Sequence, residues 1–137
     1  MFRRWKRGAK GPGPEPGEVY SGLRRIAPRE LTSNEIALLR RIAGRLDDDN
    51  AGRMLAQVDA ARVVGGLPTA LDLAVRSGAQ AMTIADGPLP GRAFVTCMRG
   101  EVLVWVCDGM LSELEYAWTC DDPPDGMPSA SDVYFEP

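Results

Sequence analysis

Apolar residues at helical spacing mark the first regular element of the chain. Ile36, Leu39, Ala43 and Leu46 recur every three or four residues, which is the period of a helix with one buried face. The segment from Thr32 to Glu35 precedes them and has the capping-box pattern, in which the two end residues bond each other's backbone N–H groups through their side chains. The sequence therefore predicts an amphipathic helix that begins just after Thr32.

A second helix and a set of strands follow. The acidic run from Asp47 to Asn50 ends the first helix and can cap a short second one over residues 51–58. Beyond Ala60 the apolar period changes from about 3.6 to about 2, which is typical of strands. We expect strands at residues 62–64, 71–75, 92–98, 101–107 and 110–118, and a weaker one at 80–85. This order indicates an α+β fold, with two N-terminal helices packed on an antiparallel sheet of about five strands.

Turn signals set the expected register of the last strands. Asp108-Gly109 is a strong two-residue turn signal, and Arg99-Gly100 is a weaker one. The first of these turns would pair Trp105 with Ser112, and the aromatic face of the hairpin would then receive the helices. That face comprises Leu103, Trp105, Cys107, Met110, Leu114, Tyr116 and Trp118. The opposite face, expected to stay in water, comprises Val102, Val104, Val106, Leu111, Glu113 and Glu115.

The N-terminal region differs from the rest of the chain in composition. Residues 1–18 are basic and rich in Pro and Gly, and their apolar content is too low to offset the entropy of ordering them. We therefore expect an unstructured arm over 1–18 and a single α+β domain over 19–137. No secretory signal follows the basic start, and no apolar run approaches the roughly 18 residues that cross a bilayer. The expected location is cytoplasmic, with no membrane span.

Charge is distributed unevenly along the chain. Residues 1–41 carry a formal charge of +6, residues 42–100 are neutral, and residues 101–137 carry −9, for a net charge of −3. The acidic end either solubilises the surface or meets a basic partner, since complementary potentials speed encounter and exclude wrong partners. A nucleic-acid site would need a basic patch on folded elements. The arginines around the first helix are opposed by the acidic C-terminal third, so no specific nucleic-acid partner is predicted.

Residue types limit the chemistry that this chain can perform. It contains no histidine, which removes the commonest general base and the nucleophile pairs that depend on one. Cys97 and Cys107 lie in apolar predicted strands, where a thiol usually behaves as a small hydrophobe. These two with Cys120 and Asp121 could in principle hold zinc, but their spacing does not favour a site. The sequence therefore predicts no metal and no cofactor.

One carboxylate pair keeps an enzymatic alternative open. Glu113 and Glu115 lie two residues apart on a predicted strand, so both side chains point to one face, about 6.5–7 Å apart along the chain. Carboxylates at such a spacing can act as an acid/base pair in a small enzyme or as part of a ligand site. The simpler interpretation is that these two acids only face solvent. Lysine could replace histidine as a base, but both lysines of the chain lie within residues 1–10.

Aromatic and acidic residues gather near the end of the last predicted strand, and aromatic anchors with a charged rim are typical of protein interfaces. The candidate partner-binding residues are Trp105, Glu113, Glu115, Tyr116, Trp118, Asp121, Asp122 and Asp125. The alternative is that the aromatic residues are core and the acids only solubilise. We favour a non-enzymatic module that binds a basic protein partner.

The hairpin also carries a recognisable motif. Residues 108–118 read DGMLSELEYAW, and an acidic, proline-bearing tail follows at 121–128. This pattern resembles a group of small uncharacterised actinobacterial α+β proteins that share a capped helix and a "DGxLSxLEYxW" hairpin. In type, being short, acidic and without catalytic residues, the chain also resembles the immunity proteins that neutralise cognate bacterial toxins. The resemblance implies an antitoxin-like protein that inhibits a toxin through an acidic and aromatic face.

Overall fold

The computed structural model describes residues 19–20 and 23–136, and for residues 19, 20, 23 and 24 it gives strand pairing alone. The arm expected over residues 1–18 lies outside the described residues. Among those described, no helix combines the length and apolar character that crossing a membrane would require.

Both expected helices are present. α1 spans Ser33–Ala43, and both halves of its capping box form: Glu35 N–H donates to Thr32 Oγ1 at 3.1 Å, and Thr32 N–H donates to Glu35 Oε1 at 2.9 Å. α2 spans Asp48–Asp59 and is capped by Asp47. The second helix is therefore longer at its N-terminus than the expected 51–58, because Asp47 caps it from outside and leaves the next two aspartates in its first turn.

Arg29 reinforces the start of α1. Its guanidinium donates to both carboxylate oxygens of Glu35, at 2.9 and 2.8 Å. Glu35 is only 6% exposed, and this burial would raise its pKa. The bonds and charge of Arg29, with the N–H of Thr32, outweigh burial and hold the pKa of Glu35 below its usual value. The helix start is therefore an ion-paired junction in which the carboxylate is buried and the guanidinium is partly exposed.

Within the described part of the chain, ten strands form two sheets. A two-stranded sheet pairs β1 with β2, and an eight-stranded antiparallel sheet has the order β10-β7-β8-β9-β5-β4-β3, with β6 added beside β8. The strands are β1 Val19–Tyr20, β2 Leu23–Arg24, β3 Arg29–Glu30, β4 Ala61–Leu67, β5 Ala70–Val75, β6 Gly87–Pro88, β7 Ala93–Val95, β8 Gly100–Cys107, β9 Met110–Trp118 and β10 Val133–Phe135. The α+β class is confirmed. The expected count of about five strands is too low, because the three short strands β3, β6 and β10 are too brief to show a period in sequence.

The last hairpin contains a bulge that turn signals do not reveal. The strands close at the predicted Asp108-Gly109 turn, but Trp105 pairs with Glu113 rather than with Ser112. Ser112 is the extra residue of the bulge, and its hydroxyl donates to the carbonyl of Trp105 at 3.1 Å. Because side chains alternate along a strand, a slip of one residue changes which residues of β9 share a face with a given residue of β8.

The expected faces of this hairpin are therefore right in part: Leu114, Tyr116 and Trp118 do face the helices, whereas the residues of β8 lie on the faces opposite to those expected. The face that receives the helices is built from valines of β8 with Leu114 and Tyr116, and Trp105 lies on the other side with Glu113 and Glu115. We call this other side, opposite the helices, the outer face. The core on the helix side includes Leu38, Leu39, Ile42, Met54, Val58, Val63, Leu71, Leu73, Val102, Val104, Val106, Leu111, Leu114 and Tyr116.

Residues 80–85 do not form the expected weak strand. This segment is held by side chains of α2 instead: Gln57 Nε2 donates to the carbonyl of Gln80 at 2.9 Å, and Asn50 Oδ1 accepts from the N–H of Thr83 at 2.8 Å. Gln57 also bonds both sides of the hairpin turn, donating to Gly109 O and accepting from Leu111 N–H, each at 2.9 Å. These bonds satisfy the backbone without a sheet neighbour.

The turn between β7 and β8 is also displaced from its expected position. Gly100 pairs with Val95, so the connection is residues 96–99 rather than Arg99-Gly100. Cys97 and Met98 both take left-handed conformations, with φ of 62° and 55°. Glycine, asparagine or aspartate usually occupy such positions, so these two residues gave no turn signal.

Candidate functional site

The structure divides the predicted partner-binding residues among three places. Trp105, Glu113 and Glu115 lie on the outer face, and Tyr116 and Trp118 lie on the helix side of the sheet. The three aspartates at positions 121, 122 and 125 lie on the loop after β9 and are exposed. The predicted single acidic and aromatic cluster therefore does not exist as one surface.

The two glutamates of β9 are not in water. Glu113 is 2% exposed and Glu115 is 1% exposed, although both point to one face as expected. Trp105 Nε1 donates to Glu115 Oε1 at 3.1 Å, and Asp72 of β5 pairs in register with Glu113. All four of these residues have interaction partners. The expectation of a wet hairpin face is wrong, because these carboxylates are buried beside Trp105 on the outer face.

An arginine adds positive charge to this acidic region. A Cβ placed on Gly65 of β4 would lie 3.7 Å from Asp72 Oδ2 and 3.8 Å from Arg25 Nη2, so both side chains reach over the same glycine. The neighbouring Ile26 N–H donates to the carbonyl of Gly66 at 2.7 Å, which fixes this segment along β4. Burying carboxylates is costly unless they are paired and hydrogen-bonded. The outer-face acids are thus part of the folded structure rather than a free docking surface.

Tyr116 belongs to the core. It is 4% exposed, and its hydroxyl donates to the carbonyl of Arg99 at 3.0 Å. Burial, with a further contribution from the neighbouring Cys120, raises the pKa of Tyr116. Trp118 continues the same face and packs, partly buried, against the core. For these two residues the interpretation as core fits the structure better than the interpretation as interface anchors.

The predicted partner-binding acids that are exposed lie together on one loop. Residues 119–127, which we call the acidic loop, connect β9 to the C-terminal segment and carry Asp121, Asp122 and Asp125. None of these three carboxylates forms an ion pair or hydrogen bond with another described residue. Their charges are therefore available to a partner.

Hydrogen bonds hold the acidic loop at its first end. Thr119 Oγ1 donates to the carbonyl of Met98 at 2.8 Å, and Thr119 N–H donates to the carbonyl of Arg99 at 3.2 Å. Arg99 in turn donates to the carbonyl of Thr96 and forms an ion pair of 3.3 Å with Asp132. The loop thus leaves the sheet beside the turn of residues 96–99.

Side chains of α1 hold the other end of the loop: Arg41 donates to the carbonyl of Ala130 at 3.1 Å, and Asn34 makes two bonds. Asn34, in the first turn of α1, donates through Nδ2 to Pro128 O and accepts through Oδ1 from Ala130 N–H, both at 2.8 Å. A side chain that bonds two backbone groups two residues apart fixes their orientation as well as their distance. Sequence reasoning missed this residue, because an asparagine within a capping segment already has an ordinary local explanation.

The cysteines are less buried than expected. Cys97 and Cys107 are exposed and Cys120 is partly buried, so the expectation that the first two pack as small hydrophobes is wrong. Cys107 groups with Asp86 and Asp108, with ligand atoms within 4.8 Å of one another, at the surface. The adjacent Asp108, then burial and Asp86, raise the pKa of the Cys107 thiol. Among the described residues the three cysteines form no shared cluster of the zinc type.

The arginines around α1 are engaged in separate contacts. Arg40 forms an ion pair of 3.3 Å with Asp59, and Arg29 is held by Glu35. The guanidinium groups of Arg41 and Arg45 lie 5.7 and 5.0 Å from the centre of the Phe135 ring, in cation–π geometry. Arg29 and Arg40 are therefore paired with acids, whereas Arg41 and Arg45 share one aromatic partner.

Comparison of the chain with protein-family models, with curated proteins and with solved structures finds no match in any of the three. A functional assignment therefore rests on the geometry of the described residues.

Proposed function

We propose that this protein is a non-enzymatic binding module that docks a basic protein partner through its acidic loop. One observation carries the proposal: Asp121, Asp122 and Asp125 are exposed, unpaired with other described residues, and lie on a loop that is hydrogen-bonded at both ends. Three like charges on one anchored segment suit a partner that brings the opposite charge.

Physical chemistry supports this use of the loop. Exposed charges of one sign raise the encounter rate with an oppositely charged surface, and they disfavour partners of the wrong sign. Because Thr119 and Asn34 already hold the loop in place, less conformational entropy is lost when it binds. The acidic loop therefore combines steering with a preorganised shape.

The more specific form of the proposal is an immunity or antitoxin protein that neutralises a cognate bacterial toxin. Three features support this form of the proposal, because the chain shares them in type with immunity proteins. They are the net charge of −3, the charge of −9 over residues 101–137 and the α+β fold. An acidic inhibitor that covers a basic active site needs steering and shape rather than catalytic groups. Cytoplasmic action follows from this form of the proposal.

The alternative of a catalytic pair formed by Glu113 and Glu115 gains no support from their surroundings. Both carboxylates are less than 3% exposed, and Glu115 accepts a hydrogen bond from Trp105. A substrate would have to displace these contacts before it reached either oxygen. We therefore keep binding, rather than acid/base catalysis, as the proposed activity.

The test measures binding of the full chain to its partner at several salt concentrations. The partner is the basic protein retained by the full chain from an extract of its native host, identified and then produced in pure form. The test variant carries Asp121→Asn, Asp122→Asn and Asp125→Asn. The control carries Asp48→Asn, Asp49→Asn and Asp59→Asn, which removes three exposed charges from α2 instead.

We expect the loop variant to bind about tenfold or more weakly, with a shallower dependence of Kd on salt, while the control stays within about twofold. The loop variant should keep the melting temperature of the parent within a few degrees, since its three charges pair with no other described residue. The control should lose slightly more stability, because Asp49 and Asp59 form exposed ion pairs with Arg53 and Arg40, each contributing about 1 kcal/mol or less. Equal affinity of the loop variant and the parent, or retention of no protein by the full chain, would overturn the proposal.

A further inference from the structure

One apolar side chain stands fully in water beside the acidic loop. Met98 is 90% exposed, whereas the other exposed large hydrophobic residues, Leu55, Val64 and Tyr134, are 40–44% exposed. A lone exposed apolar residue is ordinary on a protein surface. The conformation of Met98 and its neighbours make it unusual.

The backbone at Met98 is strained and held in place. Cys97 and Met98 both have positive φ, which L-residues other than asparagine, aspartate and glycine rarely adopt. Strained residues of this kind persist when the surroundings fix them, and they concentrate at functional sites. The carbonyl of Met98 accepts a bond of 2.8 Å from Thr119, and Arg99 closes the turn onto Thr96 at 3.1 Å.

The same contacts join this turn to the acidic loop. Thr119, which bonds Met98, stands two residues before Asp121, and Cys120 Sγ lies 3.9 Å from the carbonyl of Arg99. The turn that exposes Met98 is therefore bonded to the start of the loop whose three carboxylates pair with no other described residue. This is the arrangement of an interface centre with a charged rim.

We propose that Met98 is the apolar anchor of the docking surface, which inserts into an apolar pocket of the basic partner while the acidic loop meets cationic groups at the pocket's rim. This inference rests on the proposed function and adds the feature by which the partner is recognised. Methionine suits the role because its unbranched, polarisable side chain adapts to the shape of a pocket. The fixed turn presents it with little loss of backbone entropy on binding.

The two parts of the surface should act on different steps of binding. Rim charges mainly set the association rate and its salt dependence, whereas a buried apolar anchor mainly sets the dissociation rate. Replacing Met98 and neutralising the acidic loop therefore have distinct kinetic signatures. This difference separates a failure of the anchor from a failure of the proposed function.

The experiment uses the purified partner and the full chain in surface plasmon resonance at several salt concentrations. Met98→Asn removes the thioether, and asparagine tolerates positive φ. Cys97→Asn is the matched control, because Cys97 is exposed in the same turn with a φ of 62°. Met98→Gly repeats the test with no side chain if the first variant folds poorly.

We expect Met98→Asn to raise Kd about tenfold through faster dissociation, with an unchanged salt slope, and Cys97→Asn to bind like the parent. The melting temperature should stay the same or rise in both. Binding by Met98→Asn within twofold of the parent, when neutralising the acidic loop abolishes binding, would overturn the anchor alone. Equal weakening by Cys97→Asn would also overturn it. If the Met98 variant and the variant with a neutralised acidic loop both bound like the parent, both proposals would be overturned.

Discussion

The clamp formed by Asn34 makes a prediction that links the fold to the proposed site. Asn34→Ala removes two hydrogen bonds of 2.8 Å, one to Pro128 and one from Ala130, and leaves α1 otherwise unchanged. A hydrogen bond contributes about 0.5–1.5 kcal/mol to stability, so the loss is about 1–3 kcal/mol. For a chain of this length that lowers the melting temperature by about 4 °C per kcal/mol.

The local effect should be larger than the global one. Without the clamp, the N–H of Ala130 has lost its acceptor, so we expect its amide hydrogen to exchange with solvent faster, together with its neighbours in the acidic loop. Hydrogen exchange followed residue by residue by NMR measures this directly. The looser loop should also bind the partner more weakly, because it must be ordered on binding.

Two further variants control this experiment. Ser33→Ala changes the preceding residue, whose exposed side chain makes no bond to the acidic loop, and should leave exchange at Ala130 unchanged. Asn34→Asp keeps an oxygen that can accept from Ala130 but cannot donate to Pro128, so we expect an intermediate effect. If Asn34→Ala left the protection of Ala130 as it is in the parent, the clamp would not hold the loop and the reasoning would be refuted.

Four other substitutions test the fold. Gln57→Leu removes three hydrogen bonds and leaves the N–H of Leu111 without its acceptor, although the carbonyl of Gly109 keeps the N–H of Met82 at 2.8 Å. It should lower the free energy of unfolding by about 2 kcal/mol or more in denaturant titration; a loss below about 1 kcal/mol would contradict this. Gly109→Ala should destabilise the protein by about 2 kcal/mol or more, since its φ is 77° and the new Cβ would lie 2.5 Å from a carbonyl oxygen. Gly52→Ala should instead stabilise it by about 0.5–1 kcal/mol, since Gly52 lies in α2 with open space around it. Glu35→Gln removes the charge paired with Arg29 and should cost about 1–2 kcal/mol at neutral pH. Because folding lowers the pKa of Glu35, that stabilisation is present above its unfolded pKa of about 4.3 and is lost as the pH falls through the lower folded value. The free energies of unfolding of the variant and the parent should therefore converge in acid. A constant difference between them down to the lowest pH would contradict this.

Local signals in the sequence were reliable where the physics is local. The capping box of Thr32 and Glu35 forms as predicted, because both bonds lie within one turn of chain. The Asp108-Gly109 turn also forms, with left-handed φ at both residues. These features depend on neighbours in sequence, which a pattern can show.

The errors arose where distant parts of the chain decide the structure. The bulge at Ser112 places Glu113 and Glu115 on the same face as Trp105, and no residue type near it indicates the extra position. Residues 80–85 stay irregular because Gln57 on α2 satisfies their backbone from 23 residues away. An alternating pattern cannot distinguish such a segment from a strand.

The candidate site was also predicted only in part. The exposure of Asp121, Asp122 and Asp125 agrees with their place in a proline-bearing acidic stretch, whose composition favours a loop. Tyr116 is buried on the face that the sequence predicted to receive the helices, whereas the exposure of Met98 follows from a turn position that the sequence did not show. The sequence therefore located the acidic loop and the core face of Tyr116 but not the exposed turn beside the loop.

The most direct test of the docking proposal is a hydrogen-exchange footprint of the full chain with and without its purified partner. We expect slower exchange on binding in the acidic loop and in residues 96–99, and unchanged exchange at the edge strand β10 and along α2. Protection confined to β10 or α2, or no change in residues 96–99 and 119–127 at saturating partner, would contradict the account.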